Sequence, residues 1–568
     1  MRALALALAL SPAAAAPRGS RSLAERGAGA ADSPPPLVVN LTAAAGESVA
    51  TVLAAQVCAG LLNRDGVPGG GVFTLMHDED TEWLARLAPR AAPPVSAAAF
   101  IAQCLASGAA RGRVRFAAAA QHELLPNIVT AAAVLDAVPL EDGSPFGAAL
   151  PVAFDAVSEW AGFRALNATA YAYARWANLT TTLAKMNPGW DVHGSAPLDP
   201  PLTNWPDLSL VDWIVKRRLF NFFLLDGCIP GTAEHALMDA MASSGPWPRP
   251  LAVWGYDDTF AIAGDVFEAE TTCSSALNMG QIASVGVNNL AWFSRAPPVT
   301  TPLARNTTRA VFNASKTYVA LVVGDGDNVA FVKSSRFAWL QERAAACAGA
   351  APRCFPLLWT ISPHLAGAAP DMLRALNALA LSTGADSFVL PPSGHLYSYP
   401  SLMPADVQAA FVAATEADAA LLSSAASVEW ELTGSWPRAI ADYLPRYAAR
   451  GVVRSFFAVN VPYLLPIINF TEPFKVVGEN VVLFRPNEWR GTSGGDDPLE
   501  PFLPSAAALA ARVNAWPRGT VAAIYLTSDG GGRLQDFADL AAALGEHVEA
   551  VGDEVGDLAL VSARARAG

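Results

Sequence analysis

The most telling pattern in the chain is the apolar run Val319-Ala-Leu-Val-Val323, which stops abruptly against Gly324-Asp-Gly-Asp-Asn328. A short unbroken apolar run closed by glycine reads as a strand buried on both faces. From Tyr318 onward the same rhythm recurs. Apolar runs predict strands at 319–324, 355–361, 387–391, 427–432, 453–459, 480–485, 521–527 and 547–551. Longer stretches between them predict helices near 328–346, 370–381, 404–422, 437–449, 461–468, 504–515 and 533–544. Pro370, Pro404 and Pro437 stand near the first turn of three of these, where a missing N–H costs nothing. Strands alternating with helices in this way predict an α/β fold, a C-terminal (β/α)8-like barrel over 317–568. A doubly wound open sheet is the alternative.

Upstream the alternation is shorter and breaks into smaller units. Leu37–Asn40 and Gly71–Met76 read as strands, followed by helices through Gln56–Arg64 and Asp80–Leu87, giving an N-terminal α/β domain over 37–110. A second accessory domain, 111–206, opens on a strand at Arg113–Ala117 and a helix at Ile128–Leu135; its part from Ala161 reads as loop-rich. A third α/β domain, 207–297, has strands at Phe220–Leu225 and Leu251–Tyr256 and a helix around Glu234–Met241. The stretch 298–316, with prolines and two glycosylation sequons, reads as a linker.

Composition narrows the setting. Hydrophobic residues are 52% and charged residues 16%, which argues for folded material, although abundant alanine inflates helix propensity throughout. The net charge of −13 disfavours nucleic acid and anionic membranes as partners. Residues 1–16 have the layout of a signal peptide, and no later run is long and apolar enough to span a bilayer. Sequons at Asn40, Asn167, Asn178, Asn306, Asn313 and Asn469 agree with passage through the secretory pathway, as do six cysteines, of which only Cys347 and Cys354 are close enough to propose as a pair. The expected location is secreted or lumenal.

The expected chemistry lies where the C-terminal strands end. The first ends in Asp325, Asp327 and Asn328, the second in Ser362 and His364, and the third leads into Ser393-Gly-His-Leu-Tyr397-Ser-Tyr399-Pro400. In the fourth, Val428, Trp430 and Leu432 alternate with Glu429 and Glu431. The apolar face is expected under helices, which would turn both glutamates into the barrel, Glu431 nearer the strand end. Paired carboxylates across a sugar-sized cleft suit glycoside hydrolysis. A buried glutamate held by arginine or amides is the competing reading, favoured for Glu429. The Asp-Gly-Asp-Asn turn also suits plain capping of the next helix by Asp327 or Asn328. As an EF-hand it fails, because Val329 and Arg336 fall where the fifth and twelfth positions need oxygen donors. No HExxH or GxxxxGK[ST] pattern occurs, and neither metal nor cofactor is expected.

Gly394-His395-Leu396-Tyr397-Ser398-Tyr399-Pro400 resembles the signature of the GxGYxYP family of putative glycoside hydrolases, and Asp325–Asn328 and Ser393 resemble its companion motifs. Leu396 replaces the second glycine, which implies a different backbone path there. Gln56–Arg64, the stretch from Arg113, and Trp254–Asn289 resemble the family's three N-terminal domains, so the resemblance spans nearly the whole mature chain and implies a catalytic C-terminal domain. The combined expectation is a secreted carbohydrate-active protein, a glycoside hydrolase using Asp325 or Asp327 with Glu431. Asn328, Trp359, Ser393, Tyr397 and Tyr399 are expected to contact sugar, joined by Glu268 and Glu270 from the third domain. The alternative is a non-catalytic glycan-binding protein on the same fold.

Overall fold

A computed structural model describes residues 34–567 apart from 43–44, 68, 148–149, 187, 189–206, 256–265, 307–309, 349–353, 433, 448–450, 462–471, 486, 490–504 and 527–532. The expected leader at 1–16, the helix expected at 461–468 and the Asn469 sequon lie outside the described residues. The chain is an α/β protein built on several parallel sheets.

Three small sheets come first. β1 (Leu37–Asn40) lies between β2 (Val72–Leu75) and β3 (Val95–Ser96), all parallel. The helix Val49–Leu62 packs on them, started by Ser48, whose hydroxyl accepts from Thr51 N–H. β4 (Gly112–Phe116) is flanked by β5 (Ala137–Glu141) and β6 (Val152–Asp155). The third sheet runs in the order β10-β9-β7-β8, from β7 (Leu183–Lys185), β8 (Phe220–Phe222), β9 (Leu251–Trp254) and β10 (Met279–Ile282). β7 falls in the stretch expected to be loop-rich; three residues are too few to show a period against the surrounding Trp, Asn and Pro.

The C-terminal strands are β11 (Thr317–Val323), β12 (Leu358–Thr360), β13 (Ser387–Val389), β14 (Ala426–Leu432), β15 (Ser455–Val461), β16 (Phe474–Val477), β17 (Val481–Phe484), β18 (Glu488–Trp489), β19 (Val521–Leu526) and β20 (Val548–Val551). All eight expected strands are present, joined by β18 and by β16, which makes an antiparallel hairpin with β17. β11 is buried along its whole length. One edge pairs with β19; the other pairs with β20 over Thr317–Ala320 and with β12 at Val322 and Val323. A second sheet has the order β14-β15-β17-β16. Two links join the sheets among the described residues besides their shared apolar cluster: Leu390, just past β13, bridges Ser427 of β14, and β17, paired with β15, is followed closely in sequence by β18, paired with β19.

Burial divides the C-terminal strands into two faces. Tyr318, Ala320 and Val322 of β11 join Val428, Trp430, Phe457, Val482 and Tyr525 in one apolar cluster between strands, which the C-terminal helix Val555–Ala567 enters through Val555, Leu558, Ala559 and Leu560. Val319, Leu321 and Val323 join the larger core packed by helices. Strands buried on both sides are the reason the runs read as continuously apolar.

Candidate active site

The turn after β11 is built tightly from local bonds. Asp325 has φ of 60°, and its N–H points at the Tyr525 hydroxyl 3.3 Å away. Gly326 N–H donates to Thr360 Oγ1 at 2.9 Å, and that hydroxyl donates to the Val323 carbonyl at 2.7 Å. A Cβ on Gly326 would stand 1.8 Å from the Thr360 carbonyl oxygen, so only glycine fits. Asn328 caps the next helix, accepting from Ala330 N–H at 2.9 Å. The Asp-Gly-Asp-Asn turn therefore does cap, through Asn328, while Asp325, Asp327 and Asn328 all keep part of their surface exposed.

Arg336, read from the sequence only as a misfit at the twelfth EF-hand position, completes the turn. Its Nε and Nη2 donate to the Gly324 carbonyl at 3.1 and 3.0 Å, and Nη2 lies 3.5 Å from Asp325 Oδ2. Burial pulls this guanidinium below its ordinary value, opposed by the charge of Asp325, by Tyr525 and by Asp327. Eleven residues separate Arg336 from Asp325, too far for any local pattern to reveal the pair.

The signature loop follows β13 at this same end of the parallel strands and belongs equally to the third sheet. Tyr397 and Gln281 of β10 bridge through their backbones, and Tyr399 N–H donates to Ser275 Oγ at 2.8 Å. Leu396, in place of the family glycine, is buried against Gly280 of β10, where a Cβ would stand 2.5 Å from its own. Tyr397 is 7% exposed and Tyr399 1%; Tyr397 packs on Trp430 with ring centres 5.2 Å apart. Ser393 is fully buried, its hydroxyl donating to the Ser398 carbonyl at 2.8 Å and accepting from Trp430 N–H at 2.9 Å. Past the loop, His364 Nε2 donates to the His395 carbonyl at 2.7 Å, and His395 Nδ1 lies 2.7 Å from Asp418. Burial, with His395 adding, pushes His364 down to about 4, so it is neutral.

Two expectations need correction. Val428 and Trp430 face the inter-strand cluster, and Glu429 and Glu431 face the helical side, the reverse of the orientation read from the alternation. The alternation is right, but the space between the strands is itself apolar, so the more apolar face was not the helix face. Glu431 has no exposed surface; Oε1 accepts from Ser401 N–H at 2.9 Å, and Oε2 from the Ser401 and Ser435 hydroxyls at 2.5 and 2.6 Å. Burial outweighs these donors and pushes its carboxyl up to about 7. Glu429 is equally buried, both oxygens lack a hydrogen-bond partner, and it lies against Tyr443 and Tyr447. Trp359 is 1% exposed and donates its indole N–H to Asp386 Oδ2 at 3.0 Å inside the helix-packed core, where no sugar could stack on it.

Glu268 and Glu270 stand on the helix Val266–Ala276, but their side chains lie outside the described residues. The strand-end residues 527–532 likewise lie outside them. The cysteines form three disulfides, Cys58–Cys104, Cys228–Cys273 and the expected Cys347–Cys354, as suits an oxidising, extracellular environment. No helix among the described residues is long and apolar enough to cross a membrane.

Residues 315–423 match the family model described as the GxGYxYP putative glycoside hydrolase C-terminal domain. Both stretches that carry the resemblance, 325–328 and 393–400, fall inside the match. The crystal structure of a putative hydrolase from Bacteroides thetaiotaomicron VPI-5482 superposes with a TM-score of 0.68 at 16% identity, covering 93% of this chain and 95% of that one. No curated protein matches the chain.

Proposed function

We propose, from the membership of residues 315–423 in the GxGYxYP putative glycoside hydrolase family, that the chain is a secreted glycoside hydrolase whose site is the carboxyl end of β11. The observation that carries this is the pair of part-exposed carboxylates, Asp325 and Asp327, on a turn held by Thr360, with the next helix and the signature loop both bonded to the β10 segment at Ala283 and Gln281. One carboxyl delivers a proton to the glycosidic oxygen; the other activates water or attacks the anomeric carbon. Asp325, ion-paired with Arg336, and Asp327 are the two carboxyls assigned to these roles. Glu431, with no surface and both oxygens engaged, is reassigned from acid/base partner to positioning residue, holding the Ser401 turn that follows the loop. Tyr397 and Asn328 border the substrate, while Ser393 and Tyr399, buried like Trp359, hold the loop from beneath rather than touching sugar. Glu268 and Glu270 remain candidates because the far end of their helix meets Tyr399 at Ser275.

The same reading takes the C-terminal strands as a (β/α)8-like barrel over 317–568. It is supported by the bridge from β13 to β14 and by the stretch 481–489, which joins β15 to β19. The small sheets support domains over 37–110, 111–206 and 207–297, with β7 making the last boundary interleaved. Secretion is supported by the leader, the sequons and the three disulfides.

A polysaccharide panel tests the assignment. Asp325→Asn and Asp327→Asn are each expected to lower kcat by roughly 10²-fold or more, and Glu431→Gln by less. Full activity in both aspartate variants removes the catalytic assignment. The Arg336 contact of Asp325 and the cap at Asn328 also fit the second reading, a non-catalytic glycan-binding protein. Glycan-array binding without turnover, unaffected by Asp325→Asn, would favour it.

A further inference from the structure

Lys333 belongs to the C-terminal unit, on the turn 332–336 just after the Asn328 cap, yet its ammonium is fully buried. An ammonium out of water persists only when paired and hydrogen-bonded. Its partners come from other units. Nζ lies 2.5 Å from Asp80 Oδ1 and donates to Asn288 Oδ1, with Glu79 Oε1 3.6 Å away. Asp80, itself fully buried, also accepts from Met76 and His77 N–H and from the amides of Asn288 and Asn289. Lys333 and the His77 and Met76 N–H groups hold the Asp80 carboxyl below the usual carboxylate range despite burial. Trp83, one turn along the same N-terminal helix, donates its indole N–H to the Lys333 carbonyl at 2.7 Å and stacks on Phe337 at 4.1 Å.

The same short turn carries Arg336, whose guanidinium clamps the Gly324 carbonyl and Asp325. Residues 333–337 are thus gripped from one side by the N-terminal unit and grip the strand-end turn on the other. Val329 N–H, donating to the Ala283 carbonyl just past β10, adds a third anchor.

We propose that the Asp80–Lys333 pair is a positioning device for the strand-end carboxylates: the N-terminal unit sets, through Lys333 and Arg336, where Asp325 stands. The proposal rests on the reading of Asp325 as a working carboxylate. Asp80 and Lys333 act through Arg336 rather than on substrate. The N-terminal unit is then part of the site's frame rather than a separate binding module.

The test is the charge-free pair, Asp80→Asn with Lys333→Met in the full chain, since removing one charge alone strands the other in the core. Two readouts are taken: hydrogen–deuterium exchange in 324–337 against 455–461, and kcat and KM on any glycan the wild type turns over. The folded double variant is expected to exchange about tenfold faster in 324–337 with 455–461 unchanged, and to lose about tenfold in kcat with KM within about twofold. Wild-type exchange in 324–337, or faster exchange with unchanged kcat, overturns the proposal. Should the double variant fail to fold, Trp83→Phe removes the bond to the Lys333 carbonyl and trims the stack on Phe337, leaving the Asp80–Lys333 pair in place. A change in the same direction of about threefold is expected there, and none overturns the proposal. If the wild type turns over no glycan, the hydrolase reading fails, and the exchange arm still decides this one.

Discussion

Tyr397 and Gln281 exchange both backbone hydrogen bonds, each at 2.9 Å, which makes the signature loop an extra rung on the edge of the third sheet. The loop therefore sits in a seam, and its residues answer to two units at once. Leu396 shows how a departure from the family pattern is absorbed: the bulk it adds is met by the glycine facing it on β10.

Gly280→Ala should break that fit. Its Cβ would stand 2.5 Å from Leu396 Cβ, and overpacking of this kind costs about 1–3 kcal/mol. Denaturant unfolding measures it. The double variant with Leu396→Gly should be more stable than the two single losses summed, by about 1 kcal/mol.

Thr360→Val should loosen the carboxylate turn. The hydroxyl holds Gly326 N–H and the Val323 carbonyl together, so its loss should cost about 2 kcal/mol and lower turnover, while Thr360→Ser keeps both. Thermal melts and kcat, measured side by side, check the pairing of the two effects.

Trp359→Phe separates core from site. It strips one donor from Asp386, which Arg343 still holds at 3.0 and 3.1 Å, and should cost about 1–2 kcal/mol with kcat and KM unchanged. A raised KM would return Trp359 to the substrate.

Glu429 and Glu431 set a pH dependence of stability. Burial raises both carboxyls, Glu429 well above the usual range with Glu431 adding to it, and Glu431 to about 7. In the folded state they hold protons that the unfolded chain releases above its ordinary value of 4.5. Their contribution is therefore whole below that pH and falls as pH rises toward and through the folded values. Unfolding free energy should decline between about pH 5 and 8, and Glu429→Gln should flatten the decline by up to about 1.4 kcal/mol per pH unit. An unchanged slope in the variant would remove Glu429 as its source.

Much of this was legible in the chain itself. Runs such as Val319–Val323 and Val521–Leu526 place strands because burial on both faces leaves no polar residue inside them. The carboxylate turn and the signature loop were found by residue type at a strand end. The orientation of Glu429 and Glu431 was not, because period two separates faces without saying which one meets helices. The pairs Cys58–Cys104 and Cys228–Cys273 join residues 46 and 45 apart, and Lys333 finds Asp80 only after distant units dock. Such contacts leave no mark in a local window.

The pairing of β11 has a consequence for how the chain is made. Tyr318 pairs with Val521 on one side and Glu549 on the other, so the first strand of the C-terminal unit is clasped by strands synthesised last. At roughly 5–20 residues per second, Val319–Val323 emerges some tens of seconds before β19 and β20 exist, with only β12 available sooner. During that interval a wholly apolar strand carries an unsatisfied edge, and the nascent chain must shield it until translation ends.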